Sequence, residues 1–295
     1  MNESDTSEQK LWFDSILHLD DDGNIIPATP TQIDFIKMYG ELISSVLIPR
    51  AAAGKIQRMV KSLSDHGTIN GYSYALGLLR RGWFMLSCHQ SLAKLADFTI
   101  ETAKLPETVE LIDGEQWPPL LELKRALNDG LQSLEFYLPV ESSVDPTVAR
   151  QVAERQWANI NTFCAMLLCR NPTGETDALS QCGHEHCWFT IVGALETSSE
   201  ALPDSLPRNR LEKYKVWAAG VWFTLAGSVL IELRDRSWGP GPLWTAEGGD
   251  ESITTERWRF WQRRFSKLAD SRQLSVEATK EAREAARTIS SVLSF

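Results

Sequence analysis

Apolar residues along the chain recur at the three- and four-residue spacing of amphipathic helices, and alternating β-branched runs bounded by turns are missing, so the pattern predicts an all-α protein. Thr29-Pro30-Thr31-Gln32 has the form of a helix start: Thr29 caps, Pro30 takes the first helical position, and Gln32 reaches back to the cap. Ile33, Ile36, Tyr39, Ile43 and Leu47 continue that period until Pro49 interrupts it. A second helix is expected from about 50 to 64 and a long one over 72–104, closed by Pro106. Further helices are expected from 115 to 138 and, after the cap pair Asp145-Pro146, to about Arg170. The stretch 171–183 reads as a loop of small and polar residues, followed by helices over 184–199 and 206–236. Trp238–Gly249, with two prolines and four glycines, reads as a rigid irregular loop pinned by two indoles. Thr254 then caps a helix whose Trp258, Trp261, Phe265 and Leu268 share a face, and a last helix runs from about Ser275 to Leu293. The expected architecture is a single bundle-like helical domain over 29–295 with roughly eight to ten helices, preceded by a polar segment over 1–28.

One run in this series tests for a membrane. Val216–Ile231 is free of charge, but its sixteen residues, which include Thr224 and Ser228, fall short of the roughly 20 a bilayer demands. It reads as a buried central helix in which Ala219, Gly220 and Gly227 let neighbours approach closely.

Composition narrows the function classes. Of the 295 residues 43% are hydrophobic, enough for a sizeable core, and a net charge of −9 without a basic block argues against a grip on nucleic acid. Five cysteines are too few for a secreted disulfide framework, and the acidic, polar MNESDTSEQK start resembles neither a signal nor a transit peptide, so a cytoplasmic location is expected.

The segment Lys215-Val216-Trp217-Ala218-Ala219-Gly220, the loop Gly241-Pro242-Leu243-Trp244, and Ile253-Thr254-Thr255-Glu256-Arg257-Trp258-Arg259-Phe260-Trp261 resemble a large family of fungal helical proteins that carries only a domain-of-unknown-function label. The resemblance is sharpest over about 185–290. It implies an all-helical fold and a fungal, ascomycete origin, and it brings no catalytic residues with it.

Chemistry has to be sought residue by residue. Cys182-Gly183-His184-Glu185-His186-Cys187 offers zinc-ligand types, but neither a C-x₂-C nor an H-x₃₋₅-H pair is present, so a capped helix start is the favoured reading and zinc binding an alternative. Asp20-Asp21-Asp22 reads as a solvated turn rather than a magnesium-diphosphate motif, and the common hydrolase, nucleotide and dinucleotide motifs are missing, so no cofactor is expected. His89, Asn161 and Glu196 each stand on an otherwise apolar helical stripe, where an unpaired polar group costs about 1–3 kcal/mol. Each reads as a satisfied core hydrogen bond or, if they meet in one cavity, as a general acid, base or donor. Of eleven tryptophans, Trp83, Trp157, Trp188, Trp217, Trp222 and Trp258 stand on successive helices, either as core or as the wall of a pocket for an apolar metabolite. The leading expectation is a cofactor-independent binder of an apolar small molecule, with cyclase or isomerase activity of the pericyclic kind in fungal specialised metabolism as its catalytic form. The rival from another class is a non-catalytic interaction or regulatory module docking through the Trp/Arg-rich surface from Trp238 to Arg264, with Trp244 or Trp258 exposed.

Overall fold

A computed structural model of the chain describes residues 29–65, 82, 92–105, 146–170, 177–197, 208–232, 237–271 and 274–294. They form an all-α protein: helices α1 (Pro30–Ile43), α2 (Pro49–Asp65), α3 (Leu92–Ala103), α4 (Pro146–Arg170), α5 (Asp177–Leu195), α6 (Arg208–Ile231), α7 (Pro242–Ala246), α8 (Thr255–Asp270) and α9 (Val276–Val292). The chain divides into two compact units, Met1–Asn128 and Asp129–Phe295. Trp83, His89, the triplet at 20–22 and the helix expected over 115–138 lie outside the described residues.

In the first unit α1 starts as its sequence dictates. The Thr29 hydroxyl accepts from the Gln32 N–H at 3.2 Å, and the Gln32 side chain accepts from the Thr29 N–H at 2.7 Å, which satisfies two otherwise orphaned donors. Its buried stripe is Phe35, Ile36, Met38, Tyr39 and Leu42, so the register differs from the Ile33-to-Leu47 series expected: Ile33 is exposed and Leu47 lies beyond the helix. Ser45 adopts a left-handed backbone (φ 62°) that ends the helix before Pro49 is reached. Tyr39 packs edge-on against Phe98 of α3 at 6.0 Å, and its ring lies so close to Gly82 that a Cβ there would overlap it.

The second unit is built around α6, whose apolar run touches α4, α5 and α9. A Cβ on Gly220 would stand 2.7 Å from Glu281 Cγ of α9, and one on Gly227 3.2 Å from Thr288 Cγ2, so the glycines serve the close approach their positions predicted. Among the described residues no helix is long and apolar enough to cross a membrane.

Two expectations need correction here. α5 begins at Asp177 rather than near 184, so Cys182–Cys187 is helical throughout and is not a loop leading into a helix start. The Pro/Gly loop is not wholly irregular either: Gly241 in extended conformation precedes Pro242, which needs no N–H at a first helical position, and the five residues of α7 follow. The α8 cap is as expected, with the Thr254 hydroxyl accepting from the Arg257 N–H at 3.3 Å, and Ser275 caps α9 in the same way at 3.1 Å.

Candidate functional site

The polar residues that the sequence places on apolar faces fall, in the described contacts, into two clusters within the second unit. The first is a junction of α4, α5 and α6. Asn161 is 1% exposed, and its Oδ1 accepts from the Trp222 indole N–H at 2.7 Å and the Thr190 hydroxyl at 2.9 Å. Its amide donates back to the Trp157 carbonyl one turn earlier, at 2.9 Å. One side chain thus ties three helices, and both lone-pair directions of its oxygen are occupied.

Beside it lies Lys215, which directly precedes the charge-free run Val216–Ile231 and to which the sequence reading assigns no chemistry. Lys215 is buried, its ammonium 5.2 Å from the centre of the Trp157 ring and 4.8 Å from that of Phe189, within cation–π range of both. Gly193 of α5 flanks it: a methyl at that position would meet Lys215 Cδ at 3.5 Å and Nζ at 3.7 Å, ordinary contact distances. The Trp157 indole N–H is buried and has no hydrogen-bond partner among the described residues. A signal for Lys215 does exist, since it stands two turns before Trp222 on the same face of α6.

The second cluster centres on Glu196, which is fully buried just past the last residue of α5. Its Oε1 accepts from Arg257 Nε at 2.7 Å and the Trp261 indole N–H at 2.8 Å. Its Oε2 accepts from Arg257 Nη2 at 3.0 Å and the Gly241 N–H at 2.7 Å. The other donors of Arg257 reach the carbonyls of Trp238, Glu251 and Gly239, so the 237–252 segment is wrapped around the guanidinium. Gly241 is obligatory here, because a Cβ would lie 2.5 Å from Glu196 Cβ and 2.9 Å from its carbonyl oxygen. Helical spacing from Glu196 puts Phe189, Val192 and Gly193 on its stripe, but that stripe is not the buried one: Phe189 is 46% exposed, whereas Trp188, Ile191 and Leu195 face inward. Sequence reasoning misses Arg257 because arginine two residues into an amphipathic helix ordinarily faces water. Its i+4 relation to Trp261 is the available clue.

The tryptophans divide likewise. Trp157 and Trp222 belong to the first cluster. Trp188 stacks on Trp261 at 5.9 Å, and Phe223 meets Trp258 edge-to-face at 5.3 Å and Trp261 at 5.9 Å. Trp217 is half-buried. Trp244 and Trp258 are inside, Trp244 donating to the Asp250 carbonyl at 2.9 Å, so neither indole is presented on the 238–264 surface.

Among the described residues no group of three or more His, Cys, Asp or Glu side chains comes together as a metal site would require. The side chains of Cys182, His184 and Glu185 lie outside the described residues, and Cys187 is buried. Burial pushes the Cys187 thiol well above its ordinary pKa, and the neighbouring Cys164 adds to the shift.

A family model described as protein of unknown function (DUF3632) matches residues 84–265, more than half of the chain. The chain belongs to that family. The match reaches well before the segment that carried the resemblance and ends within α8, so it includes both clusters, while α9 lies beyond it. No curated protein and no solved structure matches the chain.

Proposed function

We propose that the second unit binds a small, largely apolar molecule bearing a hydrogen-bond acceptor, held where Trp157, Phe189, Gly193 and Lys215 meet. The observation that carries this reading is the Trp157 indole N–H, buried and without a partner among the described residues, on a ring already polarised by the Lys215 ammonium. A buried donor left unpaired costs about 1–3 kcal/mol, which a carbonyl or carboxylate on a bound molecule recovers. Gly193 leaves room of methyl size against the lysine, and the Phe189 ring, partly exposed, offers an apolar face beside the charge.

The catalytic form of the reading is a cofactor-independent cyclisation or isomerisation in which the indole N–H polarises a carbonyl of the enclosed molecule. Asn161 and Glu196 hold their partners through every oxygen and act there as supports rather than as proton carriers. A cytoplasmic setting in fungal specialised metabolism accords with the resemblance and with the sparse cysteines.

The test uses 8-anilinonaphthalene-1-sulfonate, an apolar anion with acceptor oxygens, titrated into the full chain. Saturable binding that Lys215→Met, Trp157→Phe and Gly193→Ala each weaken at least tenfold, with circular dichroism unchanged, supports the site. Gly193→Ala is the most telling of the three, because its methyl fits without clash and alanine favours the helix by about 1 kcal/mol. Probe binding that all three variants leave unchanged refutes it.

A further inference from the structure

Cys164 of α4 and Cys187 of α5 are both buried, 1% and 0% exposed, and neither is in a disulfide. Their placement follows from the register of the two helices. Asn161 of α4 bonds Thr190 of α5 at 2.9 Å. Four residues earlier on α4, Trp157 lies under the same Lys215 ammonium that reaches Gly193, three residues later on α5. Advancing along α4 therefore means retreating along α5, as an antiparallel pair requires. Cys164 is one turn ahead of Asn161 on the same face, and Cys187 is one turn behind Thr190 on the same face, so the two sulfurs occupy the next layer of one interface. The electrostatic influence of Cys164 on the Cys187 thiol is independent support for that juxtaposition.

We propose that Cys164 and Cys187 form a modification site, a dithiol that a peroxide oxidises to an interhelical disulfide. In the first step one sulfur attacks the O–O bond, giving a sulfenic acid and one water. In the second the other sulfur attacks the sulfenic sulfur, the S–S bond forms and the second water leaves with the remaining thiol proton. Overall the two cysteine sulfurs lose two electrons and the peroxide is reduced to two waters. A disulfide suits this position better than a thiolate-bound metal ion does. Burial penalises a thiolate in either case, but the disulfide route passes through one only transiently and ends without charge, whereas a bound metal keeps its thiolates, and the adjacent polar groups, Asn161 and Thr190, are neutral and bonded to each other. Cys169 belongs to another environment: it is exposed, and its thiol donates to the Leu225 carbonyl of α6 at 3.3 Å.

The experiment treats the full chain carrying Cys88→Ser, Cys169→Ser and Cys182→Ser with hydrogen peroxide, then measures intact mass and alkylatable thiols after denaturation. The expected product is a monomer lighter by two hydrogens, with no alkylatable thiol until dithiothreitol is added, and with a raised melting temperature. Adding Cys164→Ser or Cys187→Ser to that chain abolishes the hydrogen loss. Peptide mapping of the peroxide-treated wild-type chain gives the same answer without the serine substitutions, as a Cys164–Cys187 cross-linked peptide. Two thiols still alkylatable under peroxide that fully oxidises Cys169 of the wild type, or products carrying added oxygen in place of the cross-link, overturn the proposal. Neither result bears on probe binding at Lys215, so this inference and the proposed function fail separately.

Discussion

Replacing Glu196 by glutamine separates a structural carboxylate from a catalytic one. Four donors converge on its two oxygens: Arg257 Nε and Trp261 Nε1 on one, Arg257 Nη2 and the Gly241 N–H on the other. An amide has a single oxygen, so at best two of these bonds persist and its NH₂ faces the other two donors. The substitution also removes the only carboxylate ion-paired with Arg257 among the described residues, although the guanidinium is itself fully buried. Hydrogen bonds to charged groups contribute about 1.5–3 kcal/mol each, and breaking a buried ion pair costs about 3–5 kcal/mol, so a loss in that range is expected. Against a typical stability of about 5–15 kcal/mol this is a large fraction, equivalent to a fall in melting temperature on the order of 10 °C. Urea unfolding followed by tryptophan fluorescence reads it as a lower midpoint at unchanged slope. Glu196→Leu combined with Arg257→Met is expected to cost less than the two single changes added together, since no buried charge is left alone. A Glu196→Gln protein within about 1 kcal/mol of wild type, or strictly additive singles, would show that the cluster does not hold the 237–252 segment in place.

Three further outcomes follow from the same structure. Asn161→Leu removes the acceptor of the Trp222 and Thr190 donors and leaves both buried, so a destabilisation of about 2–4 kcal/mol is expected in urea melts. Gly220→Ala gains about 1 kcal/mol of helix propensity but drives a methyl into Glu281 Cγ, with the Glu281 carbonyl oxygen only 3.4 Å away; net destabilisation, seen as a lower melting temperature, is the expected sign. The Ser252 backbone N–H donating at 2.8 Å, helped by the Ser252 hydroxyl, holds the Asp250 carboxyl below its ordinary pKa. A depressed folded value means that the stabilisation is present above the unfolded value of about 3.9 and is lost as pH falls through the folded one. Trp244 emission, reporting its bond to the Asp250 carbonyl, should therefore change on acidification below about pH 4, and Asp250→Asn should remove that step.

The helices whose ends carry their own chemistry are legible in the sequence alone. Thr29 and Thr254 cap where their sequences say, the last helix starts at Ser275 as placed, and the α6 glycines face a neighbour as expected. Legibility fails where a tertiary partner overrides local pattern. The α5 start at Asp177 lies in a stretch rich in polar and small residues whose own propensity favours a loop. The short α7 arises because Glu196 supplies acceptors to the Gly241 and Leu243 N–H groups, a contact across more than forty residues that no local window contains. Arg257 and Lys215 escape sequence reasoning for the same cause: a charged residue beside an apolar run looks like its border until a partner is placed against it.

What distinguishes the two clusters is the state of their polar atoms. In the Glu196 cluster every donor of Arg257 and both carboxylate oxygens are engaged by groups of the chain itself, backbone included, so a substrate could enter only by displacing bonds that hold the 237–252 segment. A site that must bind and release a molecule is better built from groups whose bonding capacity is left open in the folded chain, because occupation then adds interactions instead of exchanging them. The Trp157 indole N–H meets that condition, and its ring lies 5.2 Å from a buried ammonium beside which Gly193 carries no side chain. Trp258 meets only the first half of it. Its N–H is equally unpartnered among the described residues, but its ring sits edge-to-face with Phe223 and beside Trp261, among aromatic neighbours with no charged group described against it, so a polar ligand would gain one bond there and no second anchor.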